Sequence, residues 1–158
     1  MRRQFPTASL LLAGQGPEET TLKAQCHELQ LDTAVCVTGH VAHPWSFFAG
    51  ATLFVLPSRH EGLPNALLEA AAAGLPLVAL PASDGLTGLL RSQPGVWLAP
   101  EISSEALAAS LLAALQSLQP GQRCAHSFVE QFRIDRAIQA YERLIDETLH
   151  ARAEEKQP

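Results

Sequence analysis

The 158-residue chain is 47% hydrophobic and 17% charged, which supplies one domain with a substantial core and leaves too little for two large ones. A formal net charge of -5, with no basic block or arginine-rich stripe, argues against nucleic acid as the main partner. No stretch approaches the roughly 18 uninterrupted apolar residues of a membrane span. The three cysteines, Cys26, Cys36 and Cys124, are odd in number, widely spaced and without a CxxC pair. They read as free thiols in a reduced, cytoplasmic setting, with Cys36 buried in a strand.

The first apolar run, at 9–13, follows Arg2 and Arg3, as the core of a signal peptide would. GQGPEE stands where a small-residue cleavage site belongs, so a buried strand ending at Gly14 is expected. Pro17 then opens a helix, with Glu18 and Glu19 in its positive first turn and Leu22, Cys26 and Leu29 at helical spacing. Further strand-length runs fall at 34–38, ending at Gly39, and at 52–56, ending at Pro57. An alanine-rich helix opening at Pro64 leads to a run at 77–80, and a weaker one follows at 96–98. Ser103 or Ser104 caps a helix carrying Leu107, Leu111, Ala114 and Leu118. Ile134, Ile138, Tyr141, Ile145 and Leu149 form a last apolar stripe. The strands do not alternate polar with apolar residues, so both sheet faces should be covered. The pattern predicts one doubly wound, Rossmann-like parallel α/β domain over residues 1–150, with a charged, frayed tail at 151–158. Trp45 and Trp97 read as packing residues.

In an open parallel sheet, ligands bind where strand C-termini meet helix N-termini. Three such corners carry glycine: Gly14-Gln15-Gly16, Gly39-His40-Val41 and Glu61-Gly62-Leu63-Pro64. The helix after Pro64 should aim the free N–H groups of about Asn65 and Ala66 at the crevice, which favours an anion such as a phosphate. A carboxylate there makes sense as an acceptor of hydrogen bonds from sugar hydroxyls. Glu69 lies about 6 Å along the helix from Asn65, at roughly 1.5 Å per residue, and Glu61 sits in the loop before it. The two could grip hydroxyls at opposite ends of a molecule built as sugar, diphosphate and ribose. His40 and His43 give an H-x-x-H spacing, but a loop without a nearby carboxylate or cysteine does not make a metal site. Arg59 is the one nearby cation fixed in sequence, and it and His60 read either as positive charge beside a phosphate or as residues of the loop's rim.

Glu61 to Glu69 resembles the E-x(7)-E motif of retaining, GT-B fold glycosyltransferases of family 4, also called group 1. GQGPEE is similar to that family's G-x-G-P segment and VCVTGHV to its V-x-F-x-G-x-V, and AGATLFVLPSRHEGLPNALLEAAAAGLPLVAL resembles the core of its C-terminal, donor-binding lobe. The resemblance implies that Glu61 lies beside the transferred sugar and stabilises positive charge on it, while Glu69 binds the ribose. The backbone of Gly62, Leu63, Pro64, Asn65 and Ala66 would meet the diphosphate or sugar, and Gly14, Gly16, Gly39 and His40 would line the nucleotide pocket. It further implies a UDP- or GDP-sugar donor as substrate, no metal or other cofactor, and transfer with retention to an acceptor glycan or lipid held by an N-terminal lobe. Peripheral membrane association of a full enzyme is compatible with that family.

Two departures accompany the likeness. The family's donor lobe begins with a strand-helix element carrying an Arg and then a Lys that neutralise the diphosphate, and nothing before Leu10 fits it; Arg2 and Arg3 are out of its pattern. Where relatives read G-x-x-E, this chain has Asp84-Gly85-Leu86-Thr87-Gly88, expected as a loop. The chain thus reads as a truncated donor lobe. Its rivals are a catalytically silent nucleotide-sugar-binding module that needs a partner lobe, an epimerase of the same architecture, and an α/β domain with a vestigial site.

Overall fold

A computed structural model describes residues 4–154. Arg2, Arg3 and the tail past Glu154 fall outside them. The order is β1 (Leu10–Ala13), α1 (Glu19–Glu28), β2 (Val35–Gly39), a 3-10 turn (Pro44–Phe47), β3 (Phe54–Leu56), α2 (Asn65–Ala72), β4 (Leu77–Ala79), α3 (Asp84–Leu90), β5 (Val96–Leu98), α4 (Ser104–Ser117), a second 3-10 segment (Ser127–Phe132) and α5 (Ile134–Glu154). All the strand pairs are parallel, and they form two sheets, β1-β2 and β3-β4-β5. The expected α/β class with parallel sheets holds.

The core sits on β4. Leu77, Val78 and Ala79 are each fully buried, as a central strand covered on both faces must be. Leu77 and Ala79 pack with Leu67, Ala70 and Ala71 of α2 and Leu86 and Leu90 of α3. Leu80, of opposite parity, meets Ala99 and Ala106 at α4. Gly74 ends α2 at φ +75°, where the N–H of Leu75 bonds Ala70 O at 3.0 Å and that of Gly74 bonds Ala71 O at 2.9 Å. This is the paired C-terminal cap that glycine permits, and it turns the chain straight into β4. A strap at 122–128 crosses the same corner. The Arg123 guanidinium donates to the carbonyls of Phe48, Ala49 and Ala51, and the Nε2–H of buried His126 donates to Leu75 O at 2.8 Å.

The other half is open, and several expectations fail there. Leu10 is 41% and Leu11 39% exposed, and Cys36, expected to be buried, is an exposed free thiol. Leu11 pairs with Cys36 in register, so both lie on one face of a two-stranded sheet, and that face is exposed among the described residues. Helix α1 packs on β2 yet buries none of its own residues. Trp45, read as a packing residue, is 53% exposed with its ring 5.0 Å from that of His43; Trp97 is half-buried. Helix α5 runs on past the expected boundary at 151, and its apolar stripe faces solvent.

The segment expected as a loop at 84–88 is helix α3. Ser83 supplies the reason: its Oγ accepts the Leu86 N–H at 3.2 Å, and N-capping outweighs the glycines at 85 and 88. Among the described residues no helix is long and apolar enough to cross a membrane.

Gly95, just before β5, has φ +73°, and a Cβ there would collide with Cys124 Sγ and lie 2.6 Å from Cys124 Cβ. Gly95→Ala combines left-handed backbone strain of about 1–2 kcal/mol with that overlap. It should lower the thermal midpoint by several degrees, and an unchanged midpoint in calorimetry would show that the strap does not press on this turn.

Candidate functional site

The site is built where β3 hands over to α2. Leu56 is buried, and the chain then surfaces through Pro57, Arg59 and His60, with Ser58 and Glu61 half-buried. Ser58 Oγ donates to Glu61 Oε1 at 2.9 Å, which fixes one carboxylate oxygen and leaves the other for a ligand. Gly62 has open space where a Cβ would stand, and Leu63 is 46% exposed.

Pro64 is placed differently from the expectation. It is the N-cap of α2, in extended backbone, and helical residues begin at Asn65. Its carbonyl accepts from both Leu67 N (3.1 Å) and Leu68 N (3.2 Å). A proline side chain accepts nothing, so no side-chain cap covers the helix start. The N–H groups of Asn65 and Ala66 meet no protein acceptor among the described residues, and both residues are exposed. A bare helix start carries partial positive charge as well as free donors. One turn on, Glu69 is exposed, on the opposite side of α2 from the buried Leu67, Ala70 and Ala71. Its carboxylate makes no hydrogen bond or ion pair among the described residues.

The two earlier corners come together as one cluster. Gly14 N donates to Gly39 O at 2.9 Å, and Gly16 O accepts from Glu19 N at 3.2 Å. Gly39 has φ +70°, and Glu19 Oε2 lies 3.9 Å from where its Cβ would be. Glu19 also holds Lys23 Nζ at 2.6 Å, so an ion pair stands over this turn. His40 is exposed beside it. No hydrogen bond joins this cluster to the Glu61 loop among the described residues. A concavity of about 390 Å³ opens instead between α3 and β5, lined by residues that include Thr87, Leu90, Arg91 and Leu98; neither Glu61 nor Glu69 borders it.

Two further contacts in this region follow ordinary sequence spacings. Ser58 stands three before Glu61, the spacing at which a hydroxyl reaches forward to a loop carboxylate. Lys23 stands four after Glu19, the ordinary helical ion-pair spacing.

Residues 1–117 match the family model described as glycosyl transferases group 1. The chain belongs to this family. It is 31% identical over 137 residues to glycogen synthase of Mycobacterium tuberculosis, covering 85% of this chain and 33% of that protein. It is 35% identical over 120 residues to the amylovoran biosynthesis glycosyltransferase AmsK of Erwinia amylovora, covering 71% and 29%. An uncharacterised glycosyltransferase of Haemophilus influenzae is 28% identical over 111 residues, covering 70% and 31%. The chain thus spans about a third of the length of these relatives. Among solved structures, it is similar in fold to the pneumococcal O-GlcNAc transferase GtfA (TM-score 0.76, 19% identity, 94% of this chain and 31% of that one). Sucrose-phosphate synthase from Thermosynechococcus elongatus gives a TM-score of 0.76 at 23% identity, over 94% and 40%. The architecture is that of a GT-B glycosyltransferase lobe.

Ser58→Ala removes a half-buried hydrogen bond to a carboxylate and should cost about 1–2 kcal/mol of stability, with Ser58→Thr retaining most of it. Glu69→Ala, which removes no side-chain hydrogen bond or ion pair found among the described residues, should stay within about 0.5 kcal/mol of the parent. Denaturant unfolding separates the two, and equal effects would show that Ser58 does not hold the loop.

Proposed function

We propose that this chain is the donor-binding lobe of a retaining glycosyltransferase, taking a nucleotide-sugar such as a UDP- or GDP-sugar. One observation carries the reading: an uncapped helix start, with two free N–H groups, stands between a hydroxyl-braced carboxylate at Glu61 and an unpaired one at Glu69. The diphosphate fits the amide end, because donors and helix dipole both favour an anion there. Glu69 accepts from the ribose hydroxyls. The free oxygen of Glu61 orients the sugar and faces the positive charge that grows at its anomeric carbon. The Gly14, Gly16, Gly39 and His40 turns line the nucleotide side.

In the transfer, the bond from the anomeric carbon to the diphosphate oxygen breaks while a bond to the acceptor hydroxyl forms on the same face. The acceptor proton passes to the departing phosphate oxygen, so Glu61 stabilises charge and takes no proton. The acceptor, a glycan or lipid, belongs to a lobe outside this chain, and turnover depends on that lobe. Two features favour this binding-module form of the reading. Among the described residues no Lys or Arg hydrogen-bonds into the α2 start, and β1 and β3 are each paired along one edge only. A diphosphate buried on amides alone is bound less firmly than one clamped by a guanidinium. Three free cysteines fit a reducing, cytoplasmic setting.

Titration calorimetry with UDP-, GDP- and ADP-sugars provides the test. At least one donor should bind with a dissociation constant of about 1 mM or tighter, and Glu69→Ala should weaken it tenfold or more, about 1.4 kcal/mol. Glu61→Gln should leave that affinity within a few-fold and abolish transfer once an acceptor lobe is supplied. Silence from all three donors, or binding that ignores Glu69, would remove the reading.

A further inference from the structure

The concavity of about 390 Å³ between α3 and β5 has no part in the donor site, and two regular faces build its walls. Thr87, Leu90 and Arg91 stand at i, i+3 and i+4, on one side of α3 and its C-cap. Val96 and Leu98, two apart on β5, share one face of the sheet. All five border the same space.

Its floor and rim differ in chemistry. Leu90 is buried and Val96 and Leu98 are half-buried, so the floor is apolar. Arg91 is exposed, and no other charged residue lines the cavity among the described residues. Its guanidinium makes no hydrogen bond or ion pair among them. Ser92 follows at φ +60°, a left-handed backbone that few residues other than glycine adopt. The Gln93 N–H closes this turn on Leu90 O at 3.2 Å, which keeps the Ser92 hydroxyl at the lip.

Nearby acids leave the positive charge standing. Asp84 lies in the first turn of α3, about 10 Å from Arg91 along the axis at roughly 1.5 Å per residue. Glu101, beyond the other wall, accepts from Ser103 Oγ at 3.0 Å. At the negative end of α3, Thr87 O accepts from Arg91 N and Leu90 O from Gln93 N, so two of the last carbonyls are already satisfied. An apolar floor under one unpaired guanidinium suits a ligand with an anionic head and an apolar body. We propose that the α3–β5 cavity is a second ligand site, taking a small organic anion with a phosphate or carboxylate on a short apolar body. Arg91 grips the head as a two-pronged donor, Thr87 and Ser92 donate their hydroxyls to its remaining oxygens, and the body lies on Leu90, Val96 and Leu98. The site is independent of the donor reading, because neither Glu61 nor Glu69 borders it.

The full chain is titrated with hexyl phosphate, hexanoate, hexanol and inorganic phosphate, with backbone amide shifts followed by NMR. Hexyl phosphate, hexanoate or both should shift Thr87, Arg91, Ser92, Val96 and Leu98 with a dissociation constant of about 1 mM or tighter. The tighter of the two identifies the head. Hexanol lacks the charge and inorganic phosphate lacks the body, so each should bind at least tenfold more weakly. Arg91→Gln should bring the anions down to the hexanol level. Val96→Phe, which fills the floor, should weaken hexanol and the anions alike. Arg91 is exposed, so Arg91→Gln should keep the parent thermal midpoint and decides the matter even if the Val96 change unfolds the chain. Any nucleotide-sugar that binds the parent should bind Arg91→Gln equally, so failure of the donor site and failure of this one are read separately. Anion affinity that survives Arg91→Gln overturns the proposal. So do inorganic phosphate binding as tightly as hexyl phosphate, shifts confined to Asn65 and Ala66, and no shift at all with millimolar anion.

Discussion

The packing of α2 on β4 is the constraint on which the rest depends. Leu67, Ala70 and Ala71 are 0 to 2% exposed against a strand that is itself fully buried. Alanines at the contact let helix and strand approach closely, and any tilt would open a void costing on the order of 24 cal/mol per Å³. The helix therefore has almost no freedom to pivot. Its two ends are then treated oppositely. The C-terminal end is capped through Gly74 and Leu75 and locked again by His126, bonded to Leu75 O, and by the Cys124 N–H, bonded to Gly74 O. The N-terminal end, behind Pro64, is left bare. A rigid element with one satisfied end and one unsatisfied end is a fixed electrostatic object, and rigidity is what lets exposed donors serve a ligand without first being ordered.

How legible this was depends on where the partner of each residue lies. The stretch from β3 to β4 could be read closely, because the strand, the proline-led helix and the glycine stop are each specified by neighbours a few residues away. Strand β4 was read as buried on both faces because its apolar run has no polar parity, and its coverage comes from helices within the chain. The run at 9–13 has the same look, yet Leu10 and Leu11 are exposed. Apolar character states that a face needs covering, not that this chain covers it. Cys36 failed for the same reason, since its register partner Leu11 shares the bare face. Helix α3 is hidden because residues 84–88 are matched to the family's G-x-x-E loop contact, while the deciding bond from Leu86 N to Ser83 runs through one hydroxyl.

The two exposures are physically alike and differ in consequence. On β1 and α1 the apolar residues surround an open sheet edge, where unpaired backbone groups are satisfied by water at little cost but invite another strand. On α5 the backbone is already satisfied within the helix, so only side-chain surface is left uncovered. The well-covered three-stranded half thus carries the cohesion of the domain, and the exposed elements to either side of it carry uncovered apolar surface.

The electrostatics of the α2 start follow from the same division. In the proposed donor site Glu61 and Glu69 would stand around a doubly charged group, which looks unfavourable on charge alone, since two unit charges 4 Å apart interact by about 1 kcal/mol in water and several-fold more at a partly buried surface. Each carboxylate escapes that penalty differently. Glu61 spends one oxygen on Ser58, which holds it in the loop rather than over the amides. Glu69 lies a full helical turn from the bare N–H groups and in open solvent, where screening is strong. Both acids are thus available to hydroxyl donors at the flanks of an anion without occupying the anion's own place. The arrangement rests on the unsatisfied amides of Asn65 and Ala66: given a side-chain cap at position 64, the positive end of the helix would be spent internally, and the carboxylates on either side would have nothing between them to attract a phosphate.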